Sequence, residues 1–321
     1  MNLNLNPGDI MTTPRTLQLI AFLGLVPLMI LLAAVQTPAA AQDVAASAVS
    51  VVEVEAEDYA FRMPGEIPSG WTTFELANRG DEHHFMLIAR LPDGMAYDDY
   101  VTDVVMPFNE RWYDLRDGRI DSDDVMPLLT EDLPEWFWNV EFMGGPGYLA
   151  PGLSGTATMN LEPGTYIVEC YMRTADGEMH SMEGMLDPLI VTDEPSIEEI
   201  PAANMRVELS EAGMSVDGYL EQGTNTFEVH WMDHPDGTFG HDVHIMRLED
   251  STPEEVVEWL NFLNTDALAE PAPGTFVGGI NMMPAGSTGY FTADLEPGQY
   301  LLVSVYTGAM GVLTEVTVEG S

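Results

Sequence analysis

The chain of 321 residues contains no lysine, and its ten basic residues are all arginines. Against 53 aspartates and glutamates they leave a formal net charge of −43. Nucleic-acid binding and docking on an anionic membrane both need cationic side chains that meet phosphates, so neither is expected. The acidic residues are spread along the whole sequence, which is typical of a solvated acidic surface rather than of a steering field for one cationic partner.

Cysteine is almost absent, since Cys170 is the only one in the chain. An intrachain disulfide framework is therefore excluded. The sequence also lacks the G-x-S-x-G and H-E-x-x-H motifs of hydrolases. Its apolar content of 45% is enough for one large domain or two ordinary ones, and its 9% aromatic content is not that of a disordered chain.

One long apolar run, Leu17 to Val35, lies near the N-terminus between Arg15 and an alanine triplet that ends at Ala41. This order predicts a secretory signal peptide, residues 1–41, and a periplasmic or extracellular protein with no membrane insertion after cleavage. The run is also long enough for an uncleaved membrane anchor, but its proline and the alanine triplet favour cleavage. Residues 42–51 are interpreted as a linker.

The rest of the sequence contains an internal repeat. Segments 142–152 and 161–170 match segments 276–286 and 295–304 at a constant offset of 134, and 84–91 matches 241–248. We therefore predict two copies of one domain, residues 52–193 and 204–321, joined by an acidic, proline-containing linker at 194–203.

Each copy has the pattern of a β protein. Residues 70–77 and 224–231 alternate apolar with polar side chains, and Glu-Pro-Gly turns at 162–164 and 296–298 each precede an apolar strand. A capping box at 252–255 and a longer segment at 97–138 indicate a helical insertion in each copy. The predicted fold class is all-β, with two tandem antiparallel Greek-key β-sandwich domains.

Side chains suited to a metal gather around the single cysteine. Cys170 ends a predicted strand, His180 and Met185 follow it, and the His83–His84 pair precedes an earlier strand. A trigonal set of two histidines and one cysteine, with a weak axial methionine, selects copper and suits one-electron transfer. A lone cysteine is more often a small buried hydrophobe, but an exported protein with one unpaired thiol carries a reactive group that metal ligation would protect.

The same residues resemble the cupredoxin family, the blue copper proteins. The resemblance covers residues 52–193 and rests on Asn78-Arg-Gly-Asp-Glu-His-His84, the segment Tyr166 to Cys170, His180, and Gly184-Met185. It implies a cupredoxin-like β-sandwich in which His84, Cys170, His180 and Met185 hold copper and exchange electrons with a redox protein partner. The gap from Cys170 to His180 is longer than in small blue copper proteins. His83 is the alternative ligand to His84, which we prefer because it matches His241 in the repeat.

Three other interpretations remain open. Methionines 172, 179, 182 and 185 could take Cu(I), as in a copper carrier or storage protein. Both sandwiches could instead be a metal-free binding or assembly module.

In the second copy Ser304 replaces Cys170 and a shorter loop removes the histidine, which predicts a domain without type 1 copper. A separate zinc or copper site there is the less favoured reading of His230, His234, His241 and His244 with Asp233, Asp236 and Asp242. The His-x-His pairs of a multicopper oxidase are missing, so an electron carrier rather than an enzyme is expected.

Overall fold

The computed structural model describes residues 51–196, 199–269 and 271–320. The predicted signal peptide and all but the last residue of the linker at 42–51 lie outside these ranges. Within them, no helix has both the length and the apolar character needed to cross a membrane.

The described residues form sixteen strands, and most of them coincide with segments of alternating or continuous apolar character. In chain order the strands are β1 (Val51–Glu57), β2 (Ala60–Arg62), β3 (Glu66–Asn78), β4 (Leu87–Arg90), β5 (Glu141–Phe142), β6 (Ser154–Leu161), β7 (Gly164–Glu169), β8 (Leu186–Pro195), β9 (Met205–Ser210), β10 (Gly213–Gly218), β11 (Gly223–Trp231), β12 (Val243–Leu248), β13 (Thr275–Ile280), β14 (Thr288–Leu295), β15 (Gly298–Val303) and β16 (Leu313–Val318). This confirms the all-β prediction.

The strands form a large sheet and a smaller one. The larger has the order β10-β9-β11-β14-β6-β3-β8-β7-β4-β5, with β1 beside β3 and β2 beside β1; the smaller has the order β13-β12-β15-β16. Strand β3 pairs with β8 through its first residues, with β6 from Gly70 onward and with β1 from Thr73 onward. Gly70 has a φ of +107°, a conformation that glycine adopts without strain. The pairs β1–β3, β3–β8 and β9–β11 are parallel, and the rest are antiparallel.

Helices occupy the predicted insertions. The first insertion contains α1 (Tyr97–Tyr100), a π-helical segment (Val101–Val105), α2 (Met106–Arg116), α3 (Ser122–Asp132) and a 3-10 turn (Glu135–Asn139). The second contains α5 (Pro253–Leu260), and the short α4 (His180–Glu183) precedes β8. The capping box of α5 is present, since Thr252 and Glu255 exchange hydrogen bonds of 2.8 and 3.3 Å.

The two Glu-Pro-Gly segments form equivalent turns. Each separates two strands, β6 from β7 and β14 from β15. In each, the tyrosine four residues after the glutamate donates its hydroxyl to the glutamate carbonyl, at 2.7 Å for Tyr166 and 2.9 Å for Tyr300. Arg90 and Arg247 donate to the proline carbonyls of their respective turns.

The two halves share one interior. Strand β14 pairs with β6 in an antiparallel register that places Tyr290 opposite Thr158, so one sheet runs through both halves. The buried amide of Asn281 donates to three carbonyls of the first half, those of Met86, Gly145 and Pro146, at 3.0 to 3.2 Å. These bonds add to the backbone hydrogen bonds that the carbonyls of Pro146 and Gly145 accept from Met86 N and Asn281 N, both at 3.0 Å.

Candidate metal centre

Cys170 is held by the strands on either side of it. It follows directly after β7, and its backbone N–H donates to the carbonyl of Met185 at 3.1 Å, just before β8. The chain between them folds back on itself, because Arg173 and Met179 form an isolated bridge and His180 N donates to Met172 O at 2.8 Å. This fold-back returns His180 to the thiol despite the long gap in sequence.

His84 is positioned by the loop that follows β3. Its backbone exchanges hydrogen bonds with Leu149, at 3.2 and 2.9 Å. The buried Asn78 amide donates to the carbonyls of Leu149 and Glu82, both at 2.8 Å, and its oxygen accepts from Gly80 N at 3.0 Å. The asparagine thus fixes the loop that carries the histidine.

The structure brings three of the four predicted site atoms into one cluster. The Cys170 Sγ lies 4.0 Å from His84 Nδ1 and 3.7 Å from His180 Nδ1, and the two Nδ1 atoms are 3.2 Å apart. All three residues are fully buried. In the described part of the chain, this is the only group of three or more His, Cys, Asp or Glu ligand atoms within 4.8 Å of one another.

The distances between the three donor atoms match those expected around a single metal ion. Nitrogen and sulfur donors about 2.0 to 2.3 Å from a central ion, spread over a plane, lie about 3.5 to 3.8 Å from one another. The observed 3.2 to 4.0 Å spans these values. A thiolate and two imidazoles form a donor set suited to copper.

Two carboxylates orient the imidazoles. His84 Nε2 lies 2.6 Å from Asp58 Oδ1, and His180 Nε2 lies 2.8 Å from Glu82 Oε2. These contacts place the ring protons on Nε2, so both Nδ1 lone pairs face the thiol. Burial opposes the charge of Asp58, yet its hydrogen bonds from the Asp81 amide and from His84 leave its pKa below the ordinary value.

Burial raises the pKa of the Cys170 thiol to about 12. Without a metal the sulfur therefore stays protonated at neutral pH. A metal ion that binds must displace this proton, since the thiolate is the ligand form.

The methionines lie in different surroundings. Met185 is fully buried in the main core beside the cluster, and its N–H donates to His180 O at 2.9 Å. Met179 packs with the cluster of Trp112, Leu115 and Val125, whereas Met182 is 37% exposed. Met179, Met182 and Met185 therefore do not form the one convergent group that the alternative Met-rich Cu(I) site would need, and Met172, the fourth methionine considered for it, is buried in the main core.

The adjacent residues His83 and His84 direct their rings to different places. The ring of His83 faces Trp259 and Phe276 of the second half, with centroid distances of 6.2 and 5.8 Å. Only His84 of the pair reaches the thiol.

The corresponding region of the second half is a hydrogen-bonded network. Asp242 Oδ1 accepts from Ser304 Oγ at 2.6 Å and from Val305 N at 2.8 Å, and its Oδ2 lies 3.0 Å from His244 Nε2. Thr307 Oγ1 lies 2.8 Å from both Ser304 Oγ and His241 Nδ1. Asp242, Ser304 and Thr307 are thus engaged with one another, while the buried Nε2 of His241 has no partner among the described residues.

Of the other two histidines of the second half, His230 lies apart from this network, whereas His234 adjoins it, since its Nδ1 accepts from His241 N at 3.1 Å. His230 contacts Thr288 and Glu228, and His234 Nε2 donates to the carbonyl of Met283 at 2.8 Å. The separate zinc or copper site considered for His230 to His244 is thus not assembled by the described residues.

Sequence reasoning missed Asp58 and Glu82. Glu82 precedes His84 by two residues, and this proximity was a usable signal. Asp58 is 26 residues from its histidine and one of 53 acidic residues, so nothing in the sequence distinguishes it.

Comparisons with known proteins give similar structures only. No family model matches the chain, and no curated relative matches. Similar solved structures include a dithionite-reduced auracyanin from Roseiflexus castenholzii (21% identity, 46% of this chain and 99% of that one, TM-score 0.28) and auracyanin A, a "blue" copper protein from Chloroflexus aurantiacus (13%, 44% and 98%, TM-score 0.27). A multicopper oxidase matches over 84% of this chain and 88% of its own, at 14% identity and a TM-score of 0.24. TM-scores this low do not assign a function to the chain, so its function is inferred from the side chains of the metal centre.

Proposed function

We propose that the chain binds one copper ion through His84, Cys170 and His180, with Met185 beside them, and carries single electrons. The observation that supports this most strongly is the buried convergence of one thiol and two imidazole nitrogens at 3.2 to 4.0 Å. Bound copper would supply a one-electron couple, because the sulfur favours Cu(I) and the imidazoles accept both oxidation states.

The protein's own contribution is to hold the donors ready. Asp58 and Glu82 keep both Nε2 atoms protonated and both rings in place, and strands β7 and β8 fix the thiol. Full burial of the three donors excludes water from them. A donor set that does not rearrange when one electron is gained or lost favours fast transfer.

We further propose that residues 52–193 are the copper domain and residues 204–321 a copper-free copy. The equivalent Glu-Pro-Gly turns with their tyrosine and arginine contacts support the duplication. Ser304 lies at the position of Cys170, directly after the strand that follows the turn. Its hydroxyl stays protonated at neutral pH and does not replace a thiolate.

The N-terminal sequence supports an exported protein, and an exported carrier of single electrons needs a redox protein partner outside the cytoplasm. Oxidase activity at the same copper ion is the alternative that an experiment has to exclude.

The test is copper addition to the purified mature protein. We expect one copper per chain and a strong visible thiolate-to-copper charge-transfer band, which Cys170→Ser abolishes. His84→Gln should remove the band, whereas the matched variant His83→Gln keeps it. If wild-type protein takes up no copper tightly, the proposal is wrong. Oxygen consumption with a reducing substrate, dependent on Cys170, would instead assign an oxidase.

The copper-carrier alternative has a separate signature. A carrier would release Cu(I) readily, and Met179→Leu with Met182→Leu would weaken its Cu(I) affinity. The different surroundings of the two side chains favour the electron carrier, for which the double variant should leave copper retention unchanged in both oxidation states.

A further inference from the structure

An apolar cavity of about 90 Å³ lies where the first helical insertion meets both halves of the molecule. Each of the three parts contributes to its lining. Residues that define it include Tyr100 and Phe108 of the insertion, Glu169 and Tyr171 of the first half, and Phe262 and Tyr306 of the second half. Ligand sites favour such junctions between structural units.

The insertion is distorted where it lines this cavity. The helix that begins with α1 passes through a π-helical segment, Val101–Val105, before continuing as α2. Val104 and Val105, at the end of this segment, line the cavity. Interruptions of this kind occur often at functional sites.

Two buried polar atoms at the cavity lack a partner within the described residues. Asn109 is 2% exposed; its Nδ2 donates to Val105 O at 2.9 Å, while its Oδ1 accepts nothing. Arg173 is 3% exposed; its terminal nitrogens donate to the carbonyls of Phe262, Asn264 and Ala267, while its Nε–H has no acceptor. Orphaned buried groups are rare in native proteins and call for a ligand or water.

We propose that this cavity binds a small neutral molecule made of one aromatic ring and a hydroxyl group, that is, a phenol. A hydroxyl both donates and accepts, so it matches in kind the two unpartnered atoms of the lining, the acceptor of Asn109 and the donor of Arg173. The aromatic walls suit a ring in edge-to-face contact.

The size of the cavity limits the ligand. An engineered cavity of about 150 Å³ holds benzene, so 90 Å³ admits one ring at most and only with adjustment of the walls. Met179 and Met282 line the cavity, and methionine side chains adapt readily to a ligand. Fused rings and long chains are excluded by this volume.

Phenol binding does not depend on copper, so it is tested on the metal-free mature protein. Phenol is titrated by calorimetry beside toluene, which has the same ring but no hydroxyl, and beside benzoate, which would pair with the guanidinium of Arg173. We expect saturable phenol binding and at least tenfold weaker binding of toluene and of benzoate. A site that hydrogen-bonds a hydroxyl discriminates strongly against the analogue without it.

Two variants and a control localise the site. Asn109→Leu should weaken phenol by about tenfold and leave toluene unchanged or tighter, whereas Val104→Phe should block both by filling the cavity. Asn160→Leu, on the exposed side of β6, should change neither. Absence of phenol binding, equal binding of toluene, or tighter binding of benzoate would each overturn the assignment.

Discussion

The regions around Cys170 and Ser304 have the same strand environment but differ in how their buried polar atoms are arranged. Each residue directly follows the strand after a Glu-Pro-Gly turn, and each is fully buried. Around Cys170, three donor atoms face one another while the polar ends of the imidazoles are bound to carboxylates. Around Ser304, each hydroxyl and carboxylate is bound to a neighbour within the network.

The difference shows two ways to stabilise buried polar groups in the same framework. In the first region, two imidazole nitrogens and a protonated thiol converge, and a cation that displaces the thiol proton would satisfy all three. In the second region, the hydroxyls of Ser304 and Thr307 and the carboxylate of Asp242 are matched with neighbours without a metal, although the buried Nε2 of His241 has no partner among the described residues. We therefore expect copper to stabilise the first region and to leave the second unaffected.

The largest effect is expected from breaking the second network. Asp242→Ala removes the acceptor for Ser304 Oγ, Val305 N and His244 Nε2, and it leaves these buried donors unsatisfied. The loss should be about 3–5 kcal/mol of unfolding free energy, measured by denaturant titration. Asp236→Ala, at an exposed site, is the control and should cost almost nothing. A loss of copper binding in Asp242→Ala with its fold intact would contradict the separation of the two regions.

The residues that precede Cys170 and Ser304 also differ: Glu169 precedes Cys170, whereas the apolar Val303 precedes Ser304. Burial raises the pKa of Glu169 to about 7 from its ordinary 4.5. The folded state therefore holds this proton more tightly than the unfolded state, and stability is lost as pH rises from 4.5 through 7. Glu169→Gln should abolish this loss, a relative gain on the order of 2–3 kcal/mol between pH 4.5 and 8.

The measurement is denaturant unfolding of both metal-free proteins at several pH values across that range. Glutamine keeps an acceptor for the Tyr100 hydroxyl, which donates to Glu169 at 3.1 Å. Parallel stability curves for wild type and variant would show that Glu169 does not titrate in this window.

How much of this structure can be predicted from the sequence depends on how far apart in the chain the interacting residues lie. The turns and the α5 cap could be predicted because the residues that form them lie close together in the sequence. The histidine and cysteine donors could be predicted because their side chains are chemically distinctive. On α5, the buried residues Val256 and Leu260 are four positions apart, as on the inner face of a helix. Pairing of β6 with β14, the three parallel strand pairs and the cavity under the first insertion depend on long-range packing that local patterns do not encode.

A moderate effect is expected from the carboxylates that distinguish the first region. Asp58→Asn and Glu82→Gln keep side-chain size but remove the negative charge beside each imidazole. Loss of such partners typically weakens metal affinity 10–100-fold, and it should raise the copper reduction potential because Cu(II) loses more stabilisation than Cu(I). Competition with a chelator and redox titration measure the two effects. Glu75→Gln, an exposed change on β3, is the control. An unchanged potential in both variants would mean that the carboxylates act only on folding.

The smallest effect is expected from giving the second region the missing thiol. In Ser304→Cys the new sulfur would face Asp242 and Thr307, and His241 Nδ1 is already bound to Thr307 at 2.8 Å. No histidine follows position 304 in the sequence, so no counterpart of His180 completes the trigonal set. Copper stoichiometry should stay at one per chain, and the double variant with Cys170→Ser should remain colourless with copper. A charge-transfer band in that double variant would show that the framework, rather than the matched network, determines where copper binds.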